Sequence, residues 1–205
     1  MFTGLVHHVG RLASTTHTPT GRRLILDPTG WNHRPAPGES ISVNGVCLTV
    51  ASASPTAWAF DAVHETLAKT TLGSLTPGSP LNLEHAATPI TLLGGHIVQG
   101  HIDGVARVSR LQTGPDWRVE FTPPPDFMPW FIPKGCVCVE GVSLTLAAVN
   151  SRAGTFEVAL IPTTLESTTL ARLTLGQLVN IEADAMVKSI VHVLRNYMPP
   201  TDPRA

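Results

Sequence analysis

Asn44-Gly45-Val46-Cys47-Leu48-Thr49-Val50 is written again as Glu140-Gly141-Val142-Ser143-Leu144-Thr145-Leu146, 96 positions further on. Flanking segments keep the offset: Gly4-Leu5-Val6 answers to Gly100-His101-Ile102, Ile41-Ser42-Val43 to Val137-Cys138-Val139, and Phe60 to Phe156. Later the offset is 98, as in Thr66-Leu67 against Thr164-Leu165 and Asn82-Leu83-Glu84 against Asn180-Ile181-Glu182. The chain is therefore one module of about 90 residues written twice, with a two-residue insertion in the second copy. Asn-Gly favours the two positive-φ positions of a tight hairpin. The strand before it and the strand from Cys47 onward are expected to run antiparallel.

Composition narrows the function classes. Fourteen Lys and Arg against fifteen Asp and Glu leave a net charge of -1, which steers the chain toward neither nucleic acid nor an acidic membrane. Apolar runs are too short to span a bilayer, and Met1-Phe2-Thr3-Gly4 does not open a secretory signal. Cysteines at 47, 136 and 138 make neither a disulfide framework nor a Cys-x2-Cys site, and the odd count suits a reducing, cytoplasmic setting.

Strand signals fall at Leu5–Ala13, Arg22–Asp27, Ser40–Val43, Cys47–Ala51, Trp58–Val63 and Pro80–Glu84. The second copy offers Ile102–Val108, Trp117–Phe121, Cys136–Val139, Ser143–Val149, Thr155–Leu160 and Leu178–Glu182. Six antiparallel strands per copy fit a closed barrel, which removes the exposed edges, or a small sandwich. The expected domains are 1-93, 94-184 and a tail helix, 185-198. In that tail Val187, Ile190, Leu194 and Tyr197 form an apolar stripe widened by Met186 and Val193, stopped by Pro199-Pro200. Copy one has no counterpart, so the stripe docks on another subunit or on the chain's own barrels.

Nine histidines include no pair at helical metal-ligand spacing, and no phosphate loop is present. Cys47 and Ser143 fill the same slot of the two copies, with Thr49 and Thr145 two positions on, on the same strand face. His101 answers to Leu5 and Asp184 to Ala86, so the second copy carries ionisable groups that the first lacks. Buried packing accounts for small residues in both slots. Duplicated binding with diverged reactivity accounts for the repeat and its exceptions together.

Met1-Phe2-Thr3-Gly4-Leu5-Val6, Val43 to Val50, Glu65-Thr66-Leu67, Asn82-Leu83-Glu84, Gly94 to Asp103 and Gly141 to Thr145 resemble riboflavin synthases built from two lumazine-binding domains, over Met1 to about Met198. The resemblance implies an all-β fold: two homologous six-stranded antiparallel Greek-key barrels plus a C-terminal amphipathic helix for oligomerisation, assembled as a homotrimer. It implies dismutation of two 6,7-dimethyl-8-ribityllumazine molecules without metal or organic cofactor, and leaves association with a lumazine synthase open. It places Gly4, Leu5, Val6, Cys47, Leu48 and Thr49 at the N-terminal pocket, with Asp61, Ala62, Val63, His64, Glu65 and Thr66. At the C-terminal pocket it places Gly100, His101, Ile102, Lys134, Ser143, Leu144 and Thr145, with Leu160, Ile161, Pro162, Thr163, Thr164 and Leu165. The implied catalytic groups are His101 as base or relay, Ser143 or water as nucleophile, Asp184 as orienting group and, with less weight, Cys47. His64, His85 and Thr163 depart from residues common in the family, and Thr163 removes a pocket carboxylate. The competing reading is a non-catalytic lumazine or flavin carrier, in which the second pocket is free to decay.

Overall fold

Asn44 and Gly45 take φ values of 47° and 83°, and Glu140 and Gly141 take 49° and 80°, as the tight turns require. These values come from a computed structural model of the chain, which describes residues 1–197. Each turn joins two short strands: β3 (Ser40–Val43) to β4 (Val46–Ala53), and β9 (Cys136–Val139) to β10 (Val142–Asn150). The first copy is completed by β1 (His8–Thr18), β2 (Gly21–Asp27), β5 (Trp58–Val63) and β6 (Pro80–His85). The second adds β7 (Gly104–Gln112), β8 (Trp117–Thr122), β11 (Thr155–Leu160) and β12 (Leu178–Ala183).

Both sheets close. The order β1-β2-β5-β4-β3-β6 returns to β1, and β7-β8-β11-β10-β9-β12 repeats it in the second copy. The open sandwich is thereby excluded, and no strand edge is left unpaired. Closure needs sharp bends, and the register slips between Leu12 and Ser14, Val50 and Ser52, Val108 and Arg110, and Leu146 and Ala148. The skipped residues are repeat equivalents, so the barrels are bent at the same places. Leu12, Leu24, Ile41, Trp58, Phe60 and Leu83 fill the first barrel. Val108, Phe121, Phe131, Phe156 and Ile181 fill the second.

The barrels meet turn to turn. A Cβ on Gly45 would lie 2.8 Å from the Gly141 nitrogen and one on Gly141 2.7 Å from the Gly45 nitrogen, so only glycine fits on either side. Asn82 donates to the Glu140 carbonyl (2.8 Å) and accepts from the Thr169 amide (2.8 Å). Asn180 reciprocates, donating to the Asn44 carbonyl (2.9 Å) and accepting from the Thr71 amide (2.7 Å).

Two strands start later than the sequence suggests, at His8 and Gly104. The residues before them leave the barrel for a reason described below. Short helices α1 (His64–Lys69) and α2 (Pro162–Ser167) follow β5 and β11, and α3 (Ala185–Tyr197) is the expected tail helix. Its proposed stop at Pro199-Pro200 lies outside the described residues.

Candidate functional site: two grooves with crossed walls

In β4 the side chains alternate: Leu48 is buried in the core, whereas Cys47 is half-buried and Thr49 exposed. The equivalent strand β10 buries Leu144 and turns Ser143 and Thr145 outward. Each slot thus lies on the outside of its barrel, and what covers it comes from elsewhere in the chain.

Gly100 crosses over Cys47. The Cys47 amide donates to the Gly100 carbonyl (2.9 Å), and a Cβ on Gly100 (φ +79°) would stand 2.6 Å from that of Cys47. His101 and Ile102 follow, and with Val46, Glu65, Thr66, Lys69 and Thr70 they line a groove of about 230 Å³. Gly4 (φ +73°) makes the mirror contact in the second copy. It accepts from the Ser143 amide (2.8 Å), its Cβ position is 2.6 Å from that of Ser143, and Val6 packs on the second core.

The expected placement is therefore corrected. Gly100, His101 and Ile102 wall the first barrel's groove, and Gly4 and Val6, with exposed Leu5 between them, lie against the second barrel at Ser143. Sequence equivalence pairs these segments correctly but does not say which barrel each lies against. Buried carboxylates fix the crossing. Glu84 accepts from the Thr3 amide (2.6 Å), the Thr3 hydroxyl (2.7 Å) and the Gly4 amide (3.0 Å). Glu182 accepts from the amides of Gln99 (2.7 Å), Gly100 (2.8 Å) and His101 (3.0 Å). Burial pushes both carboxyls up while these hydrogen bonds oppose it. The lead segments also pair with each other, Phe2 with Val98. Their amides are spent on carboxylates and the Gly4 and Gly100 carbonyls accept from the other barrel, which is why neither continues its strand backward.

His101 and Ser143 consequently lie on different barrels, His101 over Cys47 and Ser143 under Gly4. Beside Ser143 stands a histidine that sequence reasoning weighed only as a metal ligand: His96 Nδ1 lies 2.7 Å from Ser143 Oγ. Burial holds this imidazole below its ordinary pKa against the opposing charge of Asp184, so it is neutral at pH 7. Asp184 also accepts from the Met186 amide (2.8 Å) at the start of α3, tying the tail to this site. The signal for His96 was its position in the linker, with no residue in copy one to answer it.

Other expected lining residues are dispersed. Glu65 and Thr66 reach the first groove, but Ala62 and Leu160 are buried in the cores. Val63 and Ile161 are exposed, at equivalent positions preceding α1 and α2. Asp61 is paired with Arg23 (2.7 Å), and the His64 ring turns to the Pro19 carbonyl (3.4 Å), away from Cys47. Pro162 and Thr163 open α2 on the surface, Thr164 and Leu165 are half-buried, and Leu165 rests on the second core. Lys134 occupies an exposed turn (φ +66°), its amide bonded to the Leu146 carbonyl (3.0 Å).

The family model for the lumazine binding domain matches residues 3–86 and again 99–184. The riboflavin synthase of Mycobacterium tuberculosis is 37% identical over 199 residues, covering 96% of this chain and 99% of that protein. That of Actinobacillus pleuropneumoniae is 35% identical, covering 95% and 90%. This chain belongs to the riboflavin synthase family of two-domain lumazine-binding proteins. Among solved structures, LumP complexed with riboflavin superposes on this family member with a TM-score of 0.81 at 26% identity, covering 90% of this chain and 100% of LumP. LumP complexed with 6,7-dimethyl-8-(1'-D-ribityl) lumazine gives 0.80 at 24% identity.

Proposed function

We propose that the chain is a riboflavin synthase: it moves a four-carbon unit between two 6,7-dimethyl-8-ribityllumazine molecules, yielding riboflavin and 5-amino-6-(D-ribitylamino)uracil. The Ser143–His96 contact carries this reading over that of a carrier. A pocket that only holds a ring needs no neutral imidazole on a hydroxyl, and the first groove has none at Cys47.

The chemistry needs a base and a nucleophile. Charge left at the C7-methyl of one lumazine delocalises into its ring, so a neutral imidazole suffices to take that proton; C7 of the other accepts a hydroxyl. Half-buried His96 is the base, and Ser143, or a water placed by it, is the nucleophile, adding at C7 while its proton passes to a nitrogen of the ring it attacks. Asp184 orients and stabilises the imidazole as it gains charge. Cys47, His101 and Thr66 hold the partner ring in the first groove, and most of the acceleration comes from holding two rings in register.

The two rings meet when the first groove of one chain faces the second groove of another, within a homotrimer joined through α3. A cytoplasmic location belongs to the same reading, supported by the three free cysteines, and a lumazine synthase is the partner class that would supply the substrate. Incubating the purified protein with the lumazine and following riboflavin by absorbance tests the proposal. Tight lumazine binding without riboflavin would instead establish a carrier.

A further inference from the structure

On the outside of the first barrel four histidines gather around Trp31. His7 follows the lead segment, His8 opens β1, His85 ends β6, and His33 arrives on the 28–39 loop. His85 is the hub, with ring centroids 4.4 Å from His7 and 4.9 Å from His33. Trp31 stacks on His8 and His85, with planes 18° and 13° apart, and packs on Trp58 of the core. His33 and His85 stack face to face, and their nitrogens turn to Glu39 (2.6 Å) and the Ala86 carbonyl (3.0 Å). Among the described residues no group is arranged to hold a metal. The equivalent positions of the second copy are Asp103, Gly104, Phe127, Pro129 and Ala183. There Asp103 binds Lys188 of α3 (2.8 Å). The imidazole cluster is thus peculiar to the first copy, and neither groove uses it.

We propose that the cluster of His7, His33 and His85 is a proton-operated latch: a second positive charge among the three rings at mildly acidic pH drives the Trp31 loop off the barrel and slackens the segment that walls the Ser143 groove. Among the three rings, Glu39 lies beside His33 alone (2.6 Å). A second charge must sit on a ring whose centroid lies less than 5 Å from that of its neighbour, where like charges repel. The other groups facing the cluster offset it only in part. Glu84, behind His85, attracts charge there but is shared with the Thr3 and Gly4 amides. Asp27 acts on His8, and Arg34, bonded to the Trp31 and His33 carbonyls, adds positive charge. Burial first, then the charges of His85 and His33, hold the His7 pKa down.

A histidine depressed in the closed form binds its proton better when released. Closure is therefore complete at neutral pH and lost as pH falls below the ordinary imidazole value. The cluster grips both ends of the lead segment. The His7 amide donates to the Leu83 carbonyl (2.9 Å), and just beyond His85 the Ala87 amide donates to the Met1 carbonyl (2.9 Å). Between those points Gly4 is held against Ser143.

The test needs no ligand, so its outcome is independent of the catalytic reading. Tryptophan emission and amide NMR shifts of the whole protein carrying His96→Gln, which removes the imidazole beside Ser143, are followed from about pH 8 to about pH 5, bracketing imidazole titration. Trp31→Phe identifies the Trp31 signal. Expected is a fall in Trp31 emission on acidification, with the Gly4 and Ser143 amides shifting along the same curve and far-UV circular dichroism unchanged. His85→Phe keeps an aromatic ring but drops the charge, and should abolish the Gly4 and Ser143 shifts. His33→Gln, which keeps a hydrogen bond to Glu39, should do the same and serves if His85→Phe fails to fold. Amides at Gly4 and Ser143 that do not move, folded variants that titrate like the His96→Gln parent, or a coincident loss of circular dichroism would each overturn the latch.

Discussion

At the level of single residues, the repeat makes Cys47 and Ser143 equivalent, whereas their neighbours make them different. Ser143 has a neutral imidazole at 2.7 Å; Cys47 has a glycine carbonyl and an open groove. Ser143→Ala should therefore lower kcat by roughly 10²-fold, the usual worth of one group acting on a proton in the transition state. Cys47→Ser, which retains a hydrogen-bonding group in the same space, should cost under about tenfold. His101→Gln belongs with Cys47→Ser, because His101 walls the first groove. Steady-state riboflavin formation, with lumazine affinity measured alongside, separates these cases, and a larger loss at 47 than at 143 would reverse the assignment. His96→Gln should match Ser143→Ala and also change the pH profile. Burial outweighs Asp184 and holds His96 below 6.5, so wild-type kcat/KM should fall on acidification with a midpoint beneath that value. The variant should lack that limb, and an unchanged limb would exclude His96 as the base.

At the level of elements, α3 is oriented against its own chain. Lys188 is half-buried and bonded to Asp103 (2.8 Å), while Met186, Ile190, Val193, Leu194 and Tyr197 are between 50% and 75% exposed. A thirteen-residue helix is marginal in water without a docked apolar face, and these side chains leave such a face open to a partner surface. The expectation left two places for the stripe, and the structure leaves all of it but half-buried Val187 off the barrels. Ile190→Asp with Leu194→Asp should convert the proposed trimer to monomers in sedimentation without altering the barrels, since neither side chain is buried in them. Activity should fall with assembly if, as proposed, the two grooves of a reacting pair come from different chains. A variant that stays trimeric would move the interface elsewhere. Asp184 joins this element to the chemistry, capping α3 and acting on His96 together.

Over the whole molecule, what could be read in advance was what repeats. The turns at Asn44-Gly45 and Glu140-Gly141, the strand signals and the two barrels follow from local pattern and the offset. The crossing of the lead segments does not, because Gly4 on Ser143 and Gly100 on Cys47 are long-range contacts without periodicity. Nor does His96, which has no repeat partner. The Asn-x-Glu repeat was visible, but its work was not: its asparagines bond across the seam and its glutamates hold the lead segments. The same seam breaks its own symmetry where Asn44 is answered by Glu140. This carboxyl is buried, accepts from the Asn180 amide, and is pushed up from 4.5 to about 8, burial outweighing that bond. Unfolded, Glu140 loses its proton near 4.5; folded, it keeps it to about 8. Between these values the folded chain binds more protons than the unfolded one, so this group makes stability fall as pH rises. The full penalty above that window is on the order of 3–5 kcal/mol. His7 and His96, both depressed, act in the opposite sense, but only below the ordinary imidazole value. The window from about pH 7 to about pH 8 is therefore free of them. Glu84 and Glu182 are raised as well and share the sign of Glu140. Glu140→Gln keeps an oxygen for the Asn180 amide and removes the titration. Chemical denaturation at fixed protein concentration should show a reduced loss of stability across that window, and a variant more stable than the wild type at its alkaline end. A slope equal to that of the wild type would mean that Glu140 is already ionised in the folded seam, with its charge balanced by the amides around it.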